Sequence, residues 1–239
     1  MDKRELFEKA LEEETILQNH DIDHLAKLGE FIGRKKAFFK QLYKAYKFTK
    51  EEFEFKPSIG VPVKVTFNHD PKEVILNRFD MELAFTEEQL LAYLNLIDLC
   101  FFNIISIGSV VDIDLDFVSE SMRSRVEKGK NRGLFVMITA QKTLLGTNKP
   151  AFFNDYMGVM WPIGTQSYSK PLFLSNVMIK NTVYPGMVNE IEETFKEKMR
   201  QQAVHNQLRS TTYLSDKELK SIKNEISDMY KQRVGDQSE

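Results

Sequence analysis

Asp112, Asp114 and Asp116 recur at every second position of this 239-residue chain, a spacing that could do chemistry. In an extended strand they project from one face, where three carboxylates could hold a hard cation. The calcium-loop pattern does not continue. Phe117 stands at the sixth position and Arg123 at the twelfth, where such a loop needs glycine and a bidentate glutamate. The competing use of this spacing is the wet side of an edge strand, where carboxylates also discourage edge-to-edge pairing. His20 and His24 are four apart, as zinc ligands on a helix would be, but Asp21 follows the first where a zinc protease carries glutamate. Ser109 follows Gly108 without the elbow of a hydrolase, and none of the four histidines sits in a triad context. Phosphate-loop and dinucleotide fingerprints are missing from the sequence. These residues lead us to expect a protein that is not an enzyme, with no catalytic set, no cofactor and no metal.

A second kind of chemistry is offered by the basic, aromatic segment from Phe31 to Phe48. Phe38, Phe39, Tyr43 and Tyr46 interleave there with lysines, as stacking platforms for a nucleic acid would. Phe39, Tyr43 and Tyr46 also fall at helical core spacing, which assigns the rings to packing and leaves the lysines exposed. Lys35, Lys36 and Lys40 are retained as candidate partner-binding residues. The composition gives no global push toward nucleic acid or acidic lipid: 28% of residues are charged, yet the net charge is only −2. Cys100 is the single cysteine and lies in an apolar run, so a buried thiol and a reducing cytoplasm are expected. The start of the chain, Met1 to Glu5, leads into an acidic amphipathic segment without the apolar region of a signal peptide.

The elements that must position these residues follow from periodicity. Leu6, Phe7, Ala10, Leu11 and Leu17 mark one helix face; Leu25, Leu28, Ile32, Phe39, Leu42 and Tyr46 mark another, with Gly29 and Gly33 inside it. Acidic residues before position 24 and basic ones after it suggest a hairpin of two attracting helices. Val61, Val63, Val65 and Phe67 alternate as a strand, and Val74 to Phe85 returns as its partner. Thr86 and Gln89 form a capping box ahead of Leu90, Leu94, Ile97 and Phe101. Asn95, Asp98 and Asn103 interrupt the apolar run to Val111, which favours a buried helix over a membrane span.

Beyond Ile107 the period becomes two, with Val111, Ile113, Leu115 and Phe117 on one face. Ser119 to Arg132 reads as a polar loop, Leu134 to Ile138 as a central strand, and Thr143 to Asn154 as a loop. Tyr156 to Trp161 and Leu172 to Leu174 supply short strands. Val188, Ile191, Phe195 and Met199 carry a helical stripe, and Ser215 to Glu218 announces a further helix through Leu219, Ile222, Ile226 and Met229. The fold class expected is α+β. N-terminal helices plus a hairpin occupy 1–103, a small antiparallel β-barrel-like (SH3-like) domain 104–186, and a helical tail 187–239.

Five motifs then stand in one order. They are Ile107-Gly108-Ser109-Val110-Val111, the Met137-Ile138 strand, Asp155-Tyr156-Met157-Gly158-Val159, Pro162-Ile163-Gly164, and the segment from Phe173 that ends in Tyr184-Pro185-Gly186. This order resembles the bacterial family called domain of unknown function 4176, over roughly residues 104–198. Ser119 to Arg132 is longer than the family's glycine-rich turn, and Thr139-Ala140-Gln141 replaces its Gly-Arg-like ending. The resemblance implies a companion of LXG-type toxins exported by the type VIIb secretion system of Gram-positive bacteria. Such a companion is a cytoplasmic chaperone or targeting factor that binds a toxin through apolar surface before export. Met157, Met160 and Trp161 are candidate anchors, with Phe195 and Met199 of the tail as a second candidate surface. An immunity protein that plugs a toxin's active site and an uncharacterised metal-dependent enzyme are the alternative readings. The sequence leaves the oligomeric state open.

Overall fold

The computed structural model describes residues 2–48, 50–70, 72–129, 133–145, 152–166 and 171–222. It divides the chain into two units, one of Met1–Phe101, Gly146–Ala151 and Arg209–Glu239, the other of Phe102–Leu145 and Phe152–Leu208. These two units cut across the expected ranges 1–103, 104–186 and 187–239. The tail does not stand alone: its first helix packs on the core of the second unit, and its last segment belongs to the first. The class itself is α+β with antiparallel sheets.

In the first unit the acidic start forms α1 (Lys3–Glu13), whose Leu6, Phe7, Ala10 and Leu11 are buried. The single second helix expected from the periodicity is two, α2 (Ile22–Arg34) and α3 (Lys36–Lys47), broken at Lys35. Asp21 caps α2 by accepting the His24 N–H at 3.1 Å. The ion pair between α1 and α2 runs opposite to the expected sorting of charge, because Arg4 of the acidic segment meets Glu30 at 3.4 Å.

Four strands follow as a meander: β1 (Glu52–Phe55), β2 (Val63–His69), β3 (Lys72–Arg78) and β4 (Met81–Thr86). The run from Val74 to Phe85 is therefore a hairpin and not one strand. It turns beside Phe79, whose φ of 57° lies in the left-handed region. Val63, Val65, Leu76, Leu83 and Phe85 are buried.

The capping box closes as the sequence suggests: Thr86 N–H donates to Gln89 Oε1 at 2.9 Å, and Gln89 N–H to Thr86 Oγ1 at 3.3 Å. It opens α4 (Glu87–Phe101), buried on every side from Gln89 to Cys100. A helix hydrophobic all round is a core helix. Glycine lets its neighbours approach: a methyl on Gly33 would overlap the Phe101 ring, 2.5 Å from Cδ2 and 2.7 Å from Cβ. Among the described residues no helix is long and apolar enough to cross a membrane.

The segment around Ser210 and Tyr213 is tied to α4 by buried polar groups. Tyr213 Oη donates to Asp98 at 2.5 Å, and Asn95 accepts the Ser210 N–H at 2.9 Å. The Ser215 to Glu218 capping box forms over helical residues 216–222. Ile226, Met229 and the residues after them lie outside the described residues.

The second unit begins with β5 (Val110–Ile113). The strand ends there because Leu115–Phe117 turns as a 3-10 helix with Asp114 as its cap. The expected loop from Ser119 contains α5 (Glu120–Lys128), capped by Ser119. Central strand β6 (Leu134–Leu145) runs through a bulge after Ile138, and β7 (Phe152–Met160) pairs with it, so strand replaces both ends of the expected 143–154 loop. β8 (Leu172–Leu174) pairs with β7, and β9 (Ile179–Tyr184) returns beside β5. The helix of the tail is α6 (Glu190–His205). Val111, Ile113, Leu134, Val136, Ile138, Tyr156, Leu174 and Ile179 make the core, with Met122 and Val126 of α5 and Met199 of α6 packed against it. Among the described residues the strands of this sheet form no closed barrel.

Candidate interaction surface

Strand pairing puts alternate residues on opposite faces of a sheet. In the second unit several residues between the core positions are also apolar. Tyr184 pairs with Val110, Val110 with Met137, and Met137 with Val159, which makes one row across β9, β5, β6 and β7. The next position on β6, Phe135, meets Trp161 edge-on at 6.2 Å between ring centres. The Trp161 N–H donates to the Phe135 carbonyl at 2.9 Å, which holds the segment after β7 against β6. Met157 pairs with Phe173 of β8.

A strand apolar on both faces is typical of a sheet covered on both sides. Here Trp161 is 51% exposed, Phe173 52% and Tyr184 65%. Asp112 shares the row of Phe135 and meets Lys180 at 3.8 Å. This face presents aromatic and thioether groups across its strands, with Asp112 among them.

The anticipated anchors separate on this geometry. Met157 and Trp161 belong to the outer face. Met160 does not: it pairs with Val136 and packs against the core. Phe195 is exposed on α6, whereas Met199, one turn on, packs against the same core. Lys35, Lys36 and Lys40 lie in the first unit, at and after the break between α2 and α3. Burial pushes the Lys36 amine down, and Asp98 opposes that shift. Val110, Phe135, Met137, Val159, Phe173 and Tyr184 are the surface residues that motif reasoning passed over. Their signal was available in the Leu134 to Ile138 run, apolar on both faces.

The carboxylate trio is not a face. Asp114 Oδ1 accepts the Asp116 N–H at 3.2 Å, and Asp116 meets Arg123 at 3.8 Å, so only Asp112 remains on a strand. Among the described residues no group of three or more His, Cys, Asp or Glu side chains gathers for a metal ion. His20 packs tilted against Phe85, 5.0 Å between ring centres, while His24 lies in α2. Buried Ser109 accepts the Gly186 N–H at 2.8 Å, and a methyl on Gly186 would overlap the Ile107 carbonyl. The Gly108-Ser109 and Pro185-Gly186 motifs are thus two sides of one backbone contact.

A cleft of about 250 Å³ in the first unit is lined by Tyr46, Lys47, Lys50, Lys72, Glu87 and Asp216, among others. Its charges answer one another: Lys47 meets Asp216 at 3.5 Å and Lys72 meets Glu87 at 3.7 Å. Tyr46 Oη donates to Glu87 at 2.7 Å, and burial and then that carboxylate push its phenol far up. Held protonated, it is a donor and not a base. Comparison with protein-family models, with curated proteins and with solved structures found no match to this chain.

Proposed function

We propose that this protein is a non-enzymatic, cytoplasmic accessory factor that binds an LXG-type toxin before its export by a type VIIb secretion system. The observation that carries the binding role is the outer sheet face of the second unit, where Trp161, Phe173 and Tyr184 stay half exposed or more in register with Met137 and Met157. Large contiguous apolar patches on a folded unit mark sites of association. The class of partner rests on the resemblance to domain of unknown function 4176. The finer fold reading, an SH3-like barrel, goes with it. In its favour, β5, β6, β7 and β8 run as a meander, and β9 returns beside β5 after a 3-10 turn at Asn176–Met178.

The test is affinity capture with the tagged full chain from a Gram-positive host carrying a type VIIb system, read by mass spectrometry. An LXG-type toxin is expected in the eluate. Trp161→Asp with Phe173→Asp should remove it while circular dichroism and thermal unfolding stay near those of the parent. Capture of no secreted toxin or secretion component overturns the proposal. A second arm separates the immunity reading: the accessory role raises toxin secretion, whereas immunity protects cells from the toxin when this chain is the only addition.

A further inference from the structure

Arg78 ends β3 at the tight turn to β4, where it pairs with Met81 across the two-residue loop Phe79-Asp80. The carbon of its guanidinium sits 3.8 Å from the centre of the Phe31 ring of α2 and 5.5 Å from that of Phe79. A cation over an aromatic face is attracted by the ring's quadrupole, which holds the group without using any of its N–H donors. Those donors are unspent. Nε is enclosed with no acceptor, and among the described residues no hydrogen bond or ion pair reaches either Nη group. Arg34, three residues after Phe31, differs in this respect, since Glu30 meets it at 2.5 Å.

The turn adds a second cost. Phe79 has φ at 57°, in the left-handed region that a two-residue hairpin loop normally gives to glycine, asparagine or aspartate. An aromatic residue is strained there, and this one is also 69% exposed. Neither its backbone conformation nor its burial accounts for a phenylalanine at this position. Strained backbone and enclosed donors without acceptors gather at binding sites, where a ligand supplies what the fold does not. A group that answers both residues is an oxyanion toward Arg78 and apolar toward Phe79. Carboxylate fits better than phosphate, because Asp80 in the loop and Glu82 on β4 are exposed and repel a dianion more strongly than a monoanion. The planar guanidinium also matches a carboxylate through two parallel N–H···O bonds. Ile59, 90% exposed in the β1–β2 connection, adds apolar surface at the same end of this sheet.

We propose that Arg78 and Phe79 form a binding site for a protein segment in which an acidic side chain stands next to a large apolar one. Arg78 holds the carboxylate and Phe79 packs on the apolar group. The site belongs to the first unit, so it and the toxin-binding role of the second sheet can fail independently. The experiment follows the Nε–H resonance of Arg78 by nitrogen-15 NMR in the full chain, identified by its loss in Arg78→Lys. The titrants are the amidated peptides acetyl-Leu-Glu-Phe and acetyl-Leu-Gln-Phe, and inorganic phosphate. The glutamate peptide should shift the resonance to saturation, and the glutamine peptide should bind about tenfold more weakly, roughly the worth of a charged hydrogen bond. Arg78→Lys keeps the charge without the fork and should also lose about tenfold, read at the Phe79 amide. Phe79→Gly removes the strain together with the ring, so it should raise the melting temperature while weakening the glutamate peptide. Damage to the fold does not imitate that pair of results. An unmoved Arg78 resonance or an equal response to the two peptides overturns the proposal. So does phosphate binding more tightly than the glutamate peptide, or Phe79→Gly binding as the parent does.

Discussion

At the scale of single residues, the polar groups with definite roles are structural. Lys142 is nearly buried, with φ at 43°, and its amine lies 2.9 Å from Asp155 and 4.4 Å from the centre of the Phe153 ring. Removing one partner of such a pair leaves the other charge in a low dielectric, so Asp155→Ala should cost about 3–5 kcal/mol in urea denaturation. Replacing both together, Lys142→Met with Asp155→Leu, should cost far less, and equal losses would refute the pairing argument. Glu218 provides a titration. Burial pushes its carboxyl up, but the N–H and Oγ of Ser215, each at 2.8 Å, and Arg209 outweigh this and hold it below the ordinary 4.5. A depressed folded pKa means that the contribution is complete above the unfolded value and is lost as pH falls through the folded one. Carbon-13 titration of the Glu218 carboxyl should give a midpoint below 4.5, moving upward in Arg209→Ala.

At the scale of elements, close packing decides where local preference does not. Alanine at Gly33 would gain about 1 kcal/mol in helix propensity. The overlap with Phe101 costs about 1–3 kcal/mol, because a packed core yields only by moving rings or backbone. Gly33→Ala should therefore lower the melting temperature, against the usual trend for glycine in a helix. Other elements were partly legible. The capping box at Thr86 and the strand from Val63 could be read from the sequence, since both rest on contacts within a few residues. Helix α5 was not recognised, although Ser119, Glu120, Arg125 and Lys128 match a capped, charge-complemented helix and Met122 with Val126 is an apolar i,i+4 pair. Its polar composition hid a core-facing side of only two residues. The break at Lys35 and the turn beside Phe79 had no comparable local signal. Edge strand β9 shows two register shifts against β5, and such bulges limit pairing along its open side.

At the scale of the molecule, the functional proposal rests on an apolar face that remains uncovered: on the outer side of the second sheet, Trp161, Phe173 and Tyr184 are half exposed or more. Because anchors on one face act together, Trp161→Asp alone should weaken toxin capture less than the double replacement with Phe173→Asp.

Periodicity in the sequence determined which residues share a face: the alternation through Val111 and Ile113, the double-sided run from Leu134 to Ile138, and, of the expected stripe, Ile191, Phe195 and Met199 within α6, Val188 lying before the helix begins. It also determined that Cys100 is buried, because it lies in the predominantly apolar run of its helix. What it could not assign was which faces are core. Met199 is packed while Phe195 is open, and Met160 lies inward while Met157 lies outward, although their chemistry is alike. The difference comes from long-range contacts, such as Arg200 to the Phe102 carbonyl and the bulge in β6, that rotate each element against its neighbours. A local pattern specifies a face, and only the tertiary structure determines whether that face meets the protein's own core or the solvent.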